Sequence, residues 1–173
     1  MNPGNITIRA MAESDMAAVL AIQAVCYTTI VPESAASLLA KLRASPSTCF
    51  VAARGGEPVG YLIGLPWLFA SPPQLDAATC RLPPQPDCLY LHDLAVNAGA
   101  RATGAGRALV EVFLGRLSAL GLGRASLVAI QNSGAYWARY GFRPAAVSGA
   151  LLAKLASYGA DVQYMERLTP GSR

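Results

Sequence analysis

Apolar and polar positions change period along this chain, and the changes mark its elements. Ile6 and Ile8 alternate with Thr7 and Arg9, the period of a half-buried strand. From Met16 the period becomes helical, with Met16, Val19, Leu20 and Ala24 on one face, a cap at Ser14 or Asp15, and an end near Cys26. A second helix follows Pro32, from Glu33 to about Ala44, and Ser45-Pro46 stops it. Residues 48–53 read as a strand and residues 59–65 as its hairpin partner, joined by the Arg54-Gly55-Gly56-Glu57 turn. Residues 70–86 carry five prolines and read as a loop lying over a site.

Residues 88–96 are apolar and aromatic and read as a central strand. Residues 97–106 hold three glycines and lead into a long helix from about Gly104 to Leu120, buried through Leu109, Val112, Phe113 and Leu117. Gly121 and Gly123 end it. Then come a strand at 125–130, a short helix at 134–140 closed by Gly141, and strands at 142–147 and 162–168. A helical turn or two around residues 151–157 separates these last strands. The order is β-α-α-β-β-β-α-β-α-β-β. A strand, a helix and a strand in succession imply at least one parallel pair with a crossover helix, so the fold class is α/β (α+β).

The elements fill one domain of 173 residues. Hydrophobic residues make up 53% and charged residues 14%, below the roughly 25% charged of average chains. Two uncharged runs test for a membrane segment. Residues 16–32 contain Gln23, Thr28 and Thr29, and residues 58–75 are broken by Gly60, Gly64, Pro66, Pro72 and Pro73, so both read as ordinary elements and loop. No basic stretch precedes an apolar core at the start, so the expectation is a cytoplasmic protein with no membrane attachment. The apolar excess reads as a buried sheet of near-continuous apolar strands. Apolar aromatics outside it mark an acceptor pocket or a homodimer face.

The net charge of +4 comes almost wholly from arginine, spread from Arg9 to Arg173 without the clustered stripe that nucleic acid requires. It reads as a solvated basic surface or as attraction for an anionic ligand. Cys26, Cys49, Cys80 and Cys88 show no C-x-x-C spacing, so free thiols are expected, with neither a metal site nor a redox pair.

One segment carries chemistry. Leu91-His92-Asp93-Leu94-Ala95-Val96-Asn97 is followed by Arg101-Ala102-Thr103-Gly104-Ala105-Gly106-Arg107: a strand, a glycine turn and a helix start. The first N–H groups of a helix lack intrahelical partners and its dipole favours an anion, so a pyrophosphate suits the turn, with Arg101 and Arg107 adding charge. A helix that merely begins at a glycine turn fits the same spacing. A Walker A loop needs Gly-Lys-Ser/Thr, but Gly106 precedes Arg107-Ala108; a dinucleotide fingerprint needs a third glycine where Leu109 stands.

The run Arg101-x-x-Gly104-x-Gly106 resembles the R/Q-x-x-G-x-G/A signature of the GNAT superfamily of N-acetyltransferases. The preceding Leu94-Ala95-Val96 and the later Asn132-Ser133-Gly134-Ala135-Tyr136-Trp137-Ala138-Arg139-Tyr140-Gly141-Phe142 are similar to the family's segments, and the element order agrees from Ile6 to Leu168. The resemblance implies a mixed, splayed sheet of about six or seven strands with helices on both faces and acetyl-CoA, as co-substrate, in the gap. By it, Leu94, Ala95 and Val96 run along the pantetheine arm. The pyrophosphate lies on N–H groups of Arg101, Ala102, Thr103, Gly104, Ala105, Gly106 and Arg107, and Asn132, Tyr136 and Trp137 line the far side. The implied reaction is acetyl transfer to the amine of a small molecule by direct attack, with the Leu94 N–H as oxyanion donor.

Such a reaction needs a group to take a proton from the amine. His92 is the only histidine, and an imidazole titrates near 6.5 in water. Strict alternation puts it on one face with Leu94 and Tyr90, and Asp93 on the other. Arylalkylamine N-acetyltransferases are similar in this strand, with histidines at the places of Tyr90 and His92. A strand histidine satisfied by the backbone fits as well. Family members with a tyrosine acid carry it where this chain has Trp137, whose indole is no proton source. Tyr136, about 100° around the helix, Tyr140, three residues on and nearer the same face, or water are the substitutes that would protonate the thiolate. Acceptor recognition falls to the first two helices, the 70–86 loop and the last hairpin, with Tyr27, Trp67, Phe69 and Tyr158 as apolar surface. Few acids, Glu33, Asp76, Asp87 and Asp93, lie in rim segments, which favours a small amine with apolar character. Rival readings are a non-catalytic acyl-CoA sensor or interaction module on the same fold, and a nucleotide-binding structural protein.

Overall fold

The computed structural model describes residues 4–156 and 158–171. Ser157, the last residue of the predicted helical turn, lies outside them. The apolar runs build one seven-stranded sheet. In chain order its strands are β1 (Ile6–Ala10), β2 (Cys49–Arg54), β3 (Glu57–Trp67), β4 (Cys88–Val96), β5 (Arg124–Ala129), β6 (Arg143–Pro144) and β7 (Gln163–Leu168). Its spatial order is β1-β2-β3-β4-β5-β7-β6. Every neighbouring pair is antiparallel except β4 and β5, which run parallel across the crossover helix α3 (Ala105–Ala119).

Two predicted strands have other lengths, for reasons of proline chemistry. β3 runs past its expected end at Leu65 through Pro66 to Trp67. Its pairing with β2 stops at Ile63, so the proline's missing N–H falls on a free edge. The strand expected over 142–147 shrinks to Arg143–Pro144 at the sheet edge, because Phe142 turns into the core and Pro144 cannot donate.

Helices cover both faces. α3 lies on one, through Leu109, Val110, Phe113 and Leu117 against Leu62, Leu89, Leu91 and Leu127. Gly64 makes this close approach: a Cβ there would lie 2.6 Å from the Phe113 ring. The other face is shared. α1 (Met16–Cys26) and α2 (Ala35–Ala44) pack Val19, Ile22, Leu38 and Leu42 on Val51, Tyr61, Ile63 and Ala95. α5 (Gly149–Ala156) packs Leu151 and Leu155 on Cys88, Tyr90 and Tyr164. A seam runs between these two half-cores. α2 begins two residues later than expected, because the Ser34 hydroxyl accepts the Ser37 N–H at 3.3 Å and makes Ser34 the cap. Glu33 is thereby left just outside the helix, beside the seam.

The four cysteines are free thiols, Cys49 and Cys88 buried and Cys26 and Cys80 half-buried. Among the described residues no helix is long and apolar enough to cross a membrane.

Candidate active site

β4 pairs with β5 at only three positions, Leu89 with Ala125, Tyr90 with Ser126 and Leu91 with Leu127. Beyond them the strands diverge. At the same level the register with β3 slips: Gly64 faces Leu91, and Ile63 faces Asp93. His92 is the extra residue of a β-bulge, which breaks the alternation of side chains. Leu89 and Leu91 belong to the α3 face before the bulge, and Leu94 and Val96 after it. Tyr90 lies on the opposite face, and so do Ala95 and Asp93, which meets Tyr27 and Tyr61 there. The strict alternation expected from the sequence therefore fails: His92 keeps the side of Tyr90 and Asp93, while Leu94 is across the sheet.

The divergence opens a cleft of about 480 Å³. One wall is β4 from Leu91 to Val96. The other is Val128, Ile130, Gln131 and Ser133 with Tyr136, Trp137 and Arg139 of the α4 region (α4, Gly134–Ala138). Past the bulge the β4 edge has no partner strand. The Leu94 carbonyl accepts the Tyr27 hydroxyl at 2.9 Å and the Val96 carbonyl accepts Arg101 Nε at 3.1 Å, while the Asn97 N–H turns back to Val59 at 2.9 Å. In an extended strand the N–H and C=O of one residue point the same way, so Leu94 and Val96 turn both toward the gap, with their carbonyls already held by side chains. The cleft mouth is bridged by Gln131, whose amide donates to the Thr29 hydroxyl at 2.7 Å. Gln131 and Asn132 both hold left-handed backbone, at φ +52° and +57°. Asn132 is exposed between the lining residues Gln131 and Ser133 and contributes no wall itself.

The glycine turn forms a 3-10 turn over Ala98–Thr103 followed by α3. Thr103 closes it by donating to the Ala100 carbonyl at 2.6 Å, and Ala102 is exposed on its surface. Gly104 caps α3 at φ +83°, a conformation that costs other residues about 1 kcal/mol or more. The first helical bond runs from the Ala108 N–H to the Gly104 carbonyl, so the N–H groups of Ala105, Gly106 and Arg107 have no intrahelical partner. Neither neighbouring guanidinium aims at these N–H groups. Arg101 ties back to Val96, and Arg107 pairs with Glu111 at 2.7 Å one helical turn on. Arg139, which the sequence did not single out, lies on the cleft wall with its guanidinium 4.9 Å from the Tyr136 ring centre.

Two polar networks stand behind β4. In the first, Glu33 bonds to His92 Nε2 through one carboxylate oxygen. Its other oxygen accepts Lys41 Nζ at 2.8 Å, the Ser37 hydroxyl at 2.6 Å and the Asp76 N–H at 3.2 Å. Lys41 is buried and also donates to Ser37 at 2.7 Å. Burial works to raise the Glu33 carboxyl, but the bonds and charges of His92, Lys41 and Ser37 outweigh it and hold it well below the usual carboxylate range. In the second, Asp93 accepts the Tyr27 and Tyr61 hydroxyls, each at 2.6 Å. Burial pushes this carboxyl up, against the opposing effect of both hydroxyls.

The aromatic candidates separate. Tyr90 stacks near His92, with ring centres 6.1 Å apart, but is sealed under α5 and does not reach the cleft. Tyr140 also stays off the cleft wall and donates its hydroxyl to Tyr136 at 3.3 Å. Tyr136 and Trp137 both line the cleft, Trp137 edge-on to Tyr136 and Phe142. Of the acceptor-side aromatics, Tyr27 lines the cleft, whereas Phe69 packs on Tyr164 under the Arg124 guanidinium. Trp67 donates to the Ser71 carbonyl.

The acetyltransferase (GNAT) family model matches residues 16–142, a span that includes the bulge, the gap and the glycine turn. The chain belongs to the GNAT family. Solved structures agree in fold. Ard1 from Thermoplasma volcanium superposes with a TM-score of 0.71 at 22% identity, over 95% of this chain and 97% of that one. The PaiA N-acetyltransferase from Thermoplasma acidophilum, solved with coenzyme A, gives 0.67 at 15% identity over 95% and 99%. A GNAT-like decarboxylase, GphF, solved with isobutyryl-CoA, gives 0.73 at 18% identity over 94% and 98%. No curated protein matches the sequence.

Within this GNAT chain, the residues that sequence reasoning passed over share a signature. Lys41 and Gln131 are polar residues bonded to other side chains, Lys41 to Glu33 and Ser37 in its own segment and Gln131 to Thr29 far along the chain. The buried lysine on an apolar helix face was the one signal available for the first.

Proposed function

We propose that the protein is an acetyl-CoA-dependent N-acetyltransferase acting on a small-molecule amine. The observation that carries the reading is the unpaired β4 edge at Leu94 and Val96, which leads to the free N–H groups at the start of α3, with His92 on the opposite side of the sheet. The donor set fits acetyl-CoA. An extended arm with amide groups matches a strand edge that presents N–H groups and carbonyls whose present partners are side chains able to yield, and a pyrophosphate matches the N–H groups of residues 105–107. Acetyl-CoA supplies an activated thioester carbonyl.

The chain's own residues do the rest. The Leu94 N–H donates to the negative charge that develops on the carbonyl oxygen. His92 takes the proton from the attacking amine on the seam side. Tyr136 and Trp137 wall off the opposite side and exclude water from the thioester. The Ser34 N–H donates to Asp76 at 2.7 Å and the Asp76 N–H donates to Glu33, so the 70–86 loop is tied across the start of α2. Together with the few acids of the rim segments, that strap supports the small-amine reading.

Trp137 at the usual position of a tyrosine acid supports one alternative, a non-catalytic acyl-CoA sensor. One experiment separates the readings: calorimetric titration with acetyl-CoA, followed by an assay of thiol release across panels of small amines and peptide N-termini. Binding with thiol release on a small amine is expected. Release only on peptides moves the acceptor class, binding without release selects the sensor, and no binding at millimolar acetyl-CoA overturns the proposal.

A further inference from the structure

The His92 ring uses one nitrogen and leaves the other bare. Nε2 faces Glu33, while Nδ1 is closed to bulk solvent and has no protein partner. The side chain is 2% exposed, yet the residue lines the cleft. Proton accounting around Glu33 decides which nitrogen carries hydrogen. Three donors converge on one oxygen of its carboxylate, from Lys41, Ser37 and the Asp76 backbone. The buried Lys41 ammonium supplies the matching charge, so the carboxylate is ionised and can only accept. The other oxygen then requires a proton on Nε2. A neutral imidazole has a single N–H, so Nδ1 keeps the lone pair.

Glu33 itself is fixed from behind. Its N–H donates to Gln23 Oε1 at 3.2 Å and its carbonyl accepts Gln23 Nε2 at 2.9 Å, and Gln23 is buried on α1. The ring is therefore held by a chain from α1 through Glu33, while Lys41 of α2 cancels the carboxylate's charge.

We propose that the buried Glu33–Lys41 pair is a positioning device that locks His92 in the Nε2–H tautomer and keeps Nδ1 as the proton acceptor of the acceptor-side cleft. This deepens the acetyltransferase reading and rests on it for the chemistry, but not for the tautomer. Carboxylates that orient metal-bound histidines are worth about 10–100-fold, and a loss of the same order is expected for this metal-free ring.

The test uses the fact that the chain has one histidine. In untagged protein labelled with nitrogen-15, the two imidazole nitrogens give one unambiguous pair of signals. Above the pH at which the ring becomes neutral, the wild type should show a protonated Nε2 and an unprotonated Nδ1. Removing the pair as a unit, in Glu33→Ala with Lys41→Met, leaves no unpaired buried charge and should give a mixture of tautomers. In the same variant kcat should fall about 10–100-fold while KM for acetyl-CoA stays within twofold. Glu33→Gln with Lys41→Met keeps an accepting oxygen and should restore the single tautomer and most of kcat. A wild-type ring protonated on Nδ1, or an unchanged tautomer in Glu33→Ala/Lys41→Met, overturns the proposal. Should the double variants fail to fold, the wild-type spectrum still decides the tautomer. Should no amine be acetylated, the functional reading fails while the spectrum still judges the lock.

Discussion

Gly106 and Tyr136 approach so closely that a Cβ on the glycine would lie 3.0 Å from the tyrosine hydroxyl. The contact joins the start of α3 to α4 across the cleft, so it sets the width of the gap near the free N–H groups. Gly106→Ala should displace Tyr136 and weaken acetyl-CoA binding about tenfold, with little change in melting temperature, since a hydroxyl at the end of a side chain can yield. Gly104→Ala should do the reverse. No atom lies within 4 Å of its Cβ position, but φ of +83° strains any side chain, so it should lose about 1 kcal/mol in urea unfolding. Titration calorimetry and denaturation on the two variants separate these effects.

A methyl group at Gly64 has nowhere to go. It would sit 2.6 Å from the Phe113 ring and 2.9 Å from the Thr48 carbonyl. Gly64→Ala should destabilise the fold by about 1–3 kcal/mol, the range for overpacking. Combining it with Phe113→Leu should recover part of the loss in a double-mutant cycle, because the ring is the softer of the two obstacles.

The Tyr27 hydroxyl has one proton and two acceptors, Asp93 at 2.6 Å and the Leu94 carbonyl at 2.9 Å. The hydroxyl proton is shared, with the shorter bond to the Asp93 carboxylate and the longer one to the Leu94 carbonyl. Tyr27→Phe should leave buried oxygens unsatisfied and cost about 1–3 kcal/mol, read by urea unfolding. Crystals of the variant should show a water, or a shifted Leu94 carbonyl, in place of the hydroxyl.

Stability should respond to pH through two carboxylates of opposite sign. Glu33 is held below its ordinary value of about 4.3, so its contribution is complete above that pH and is lost as the pH falls toward the folded value. Asp93 is held above its ordinary value of about 3.9, so its contribution is complete below that pH and is lost as the pH rises through the folded value. Asp93→Asn should therefore lose least relative to wild type at the alkaline end. Glu33→Gln with Lys41→Met should flatten the acid limb. Urea midpoints across pH 3–9 measure both slopes.

The element order and the glycine turn were legible because periodicity and φ > 0 glycines are local signals. The faces of β4 were not. A bulge adds one residue without changing composition, so strict alternation assigned His92 to the side of Leu94 and misread Asp93. Tyr90 looked like a candidate because α5, which seals it, shows in the sequence as only a turn or two. Arg101 and Arg107 were placed correctly along the chain, but their guanidinium groups go to the Val96 carbonyl, set by the turn, and to Glu111, an i,i+4 pairing that the helix spacing carried. Glu33 and His92 are 59 positions apart, beyond any spacing rule.

The bulge at His92 has a consequence for how this site could be lost or made. It is a one-residue phase slip in an otherwise regular wave of side chains. Deleting that residue would bring the two halves of β4 back into step without turning any other side chain: Asp93 and Ala95 would keep the α1–α2 side, Leu94 would keep the α3 side, and only the histidine would go. The histidine is thus carried by an insertion that the faces of the flanking strand do not depend on, and a single codon's removal takes it away alone.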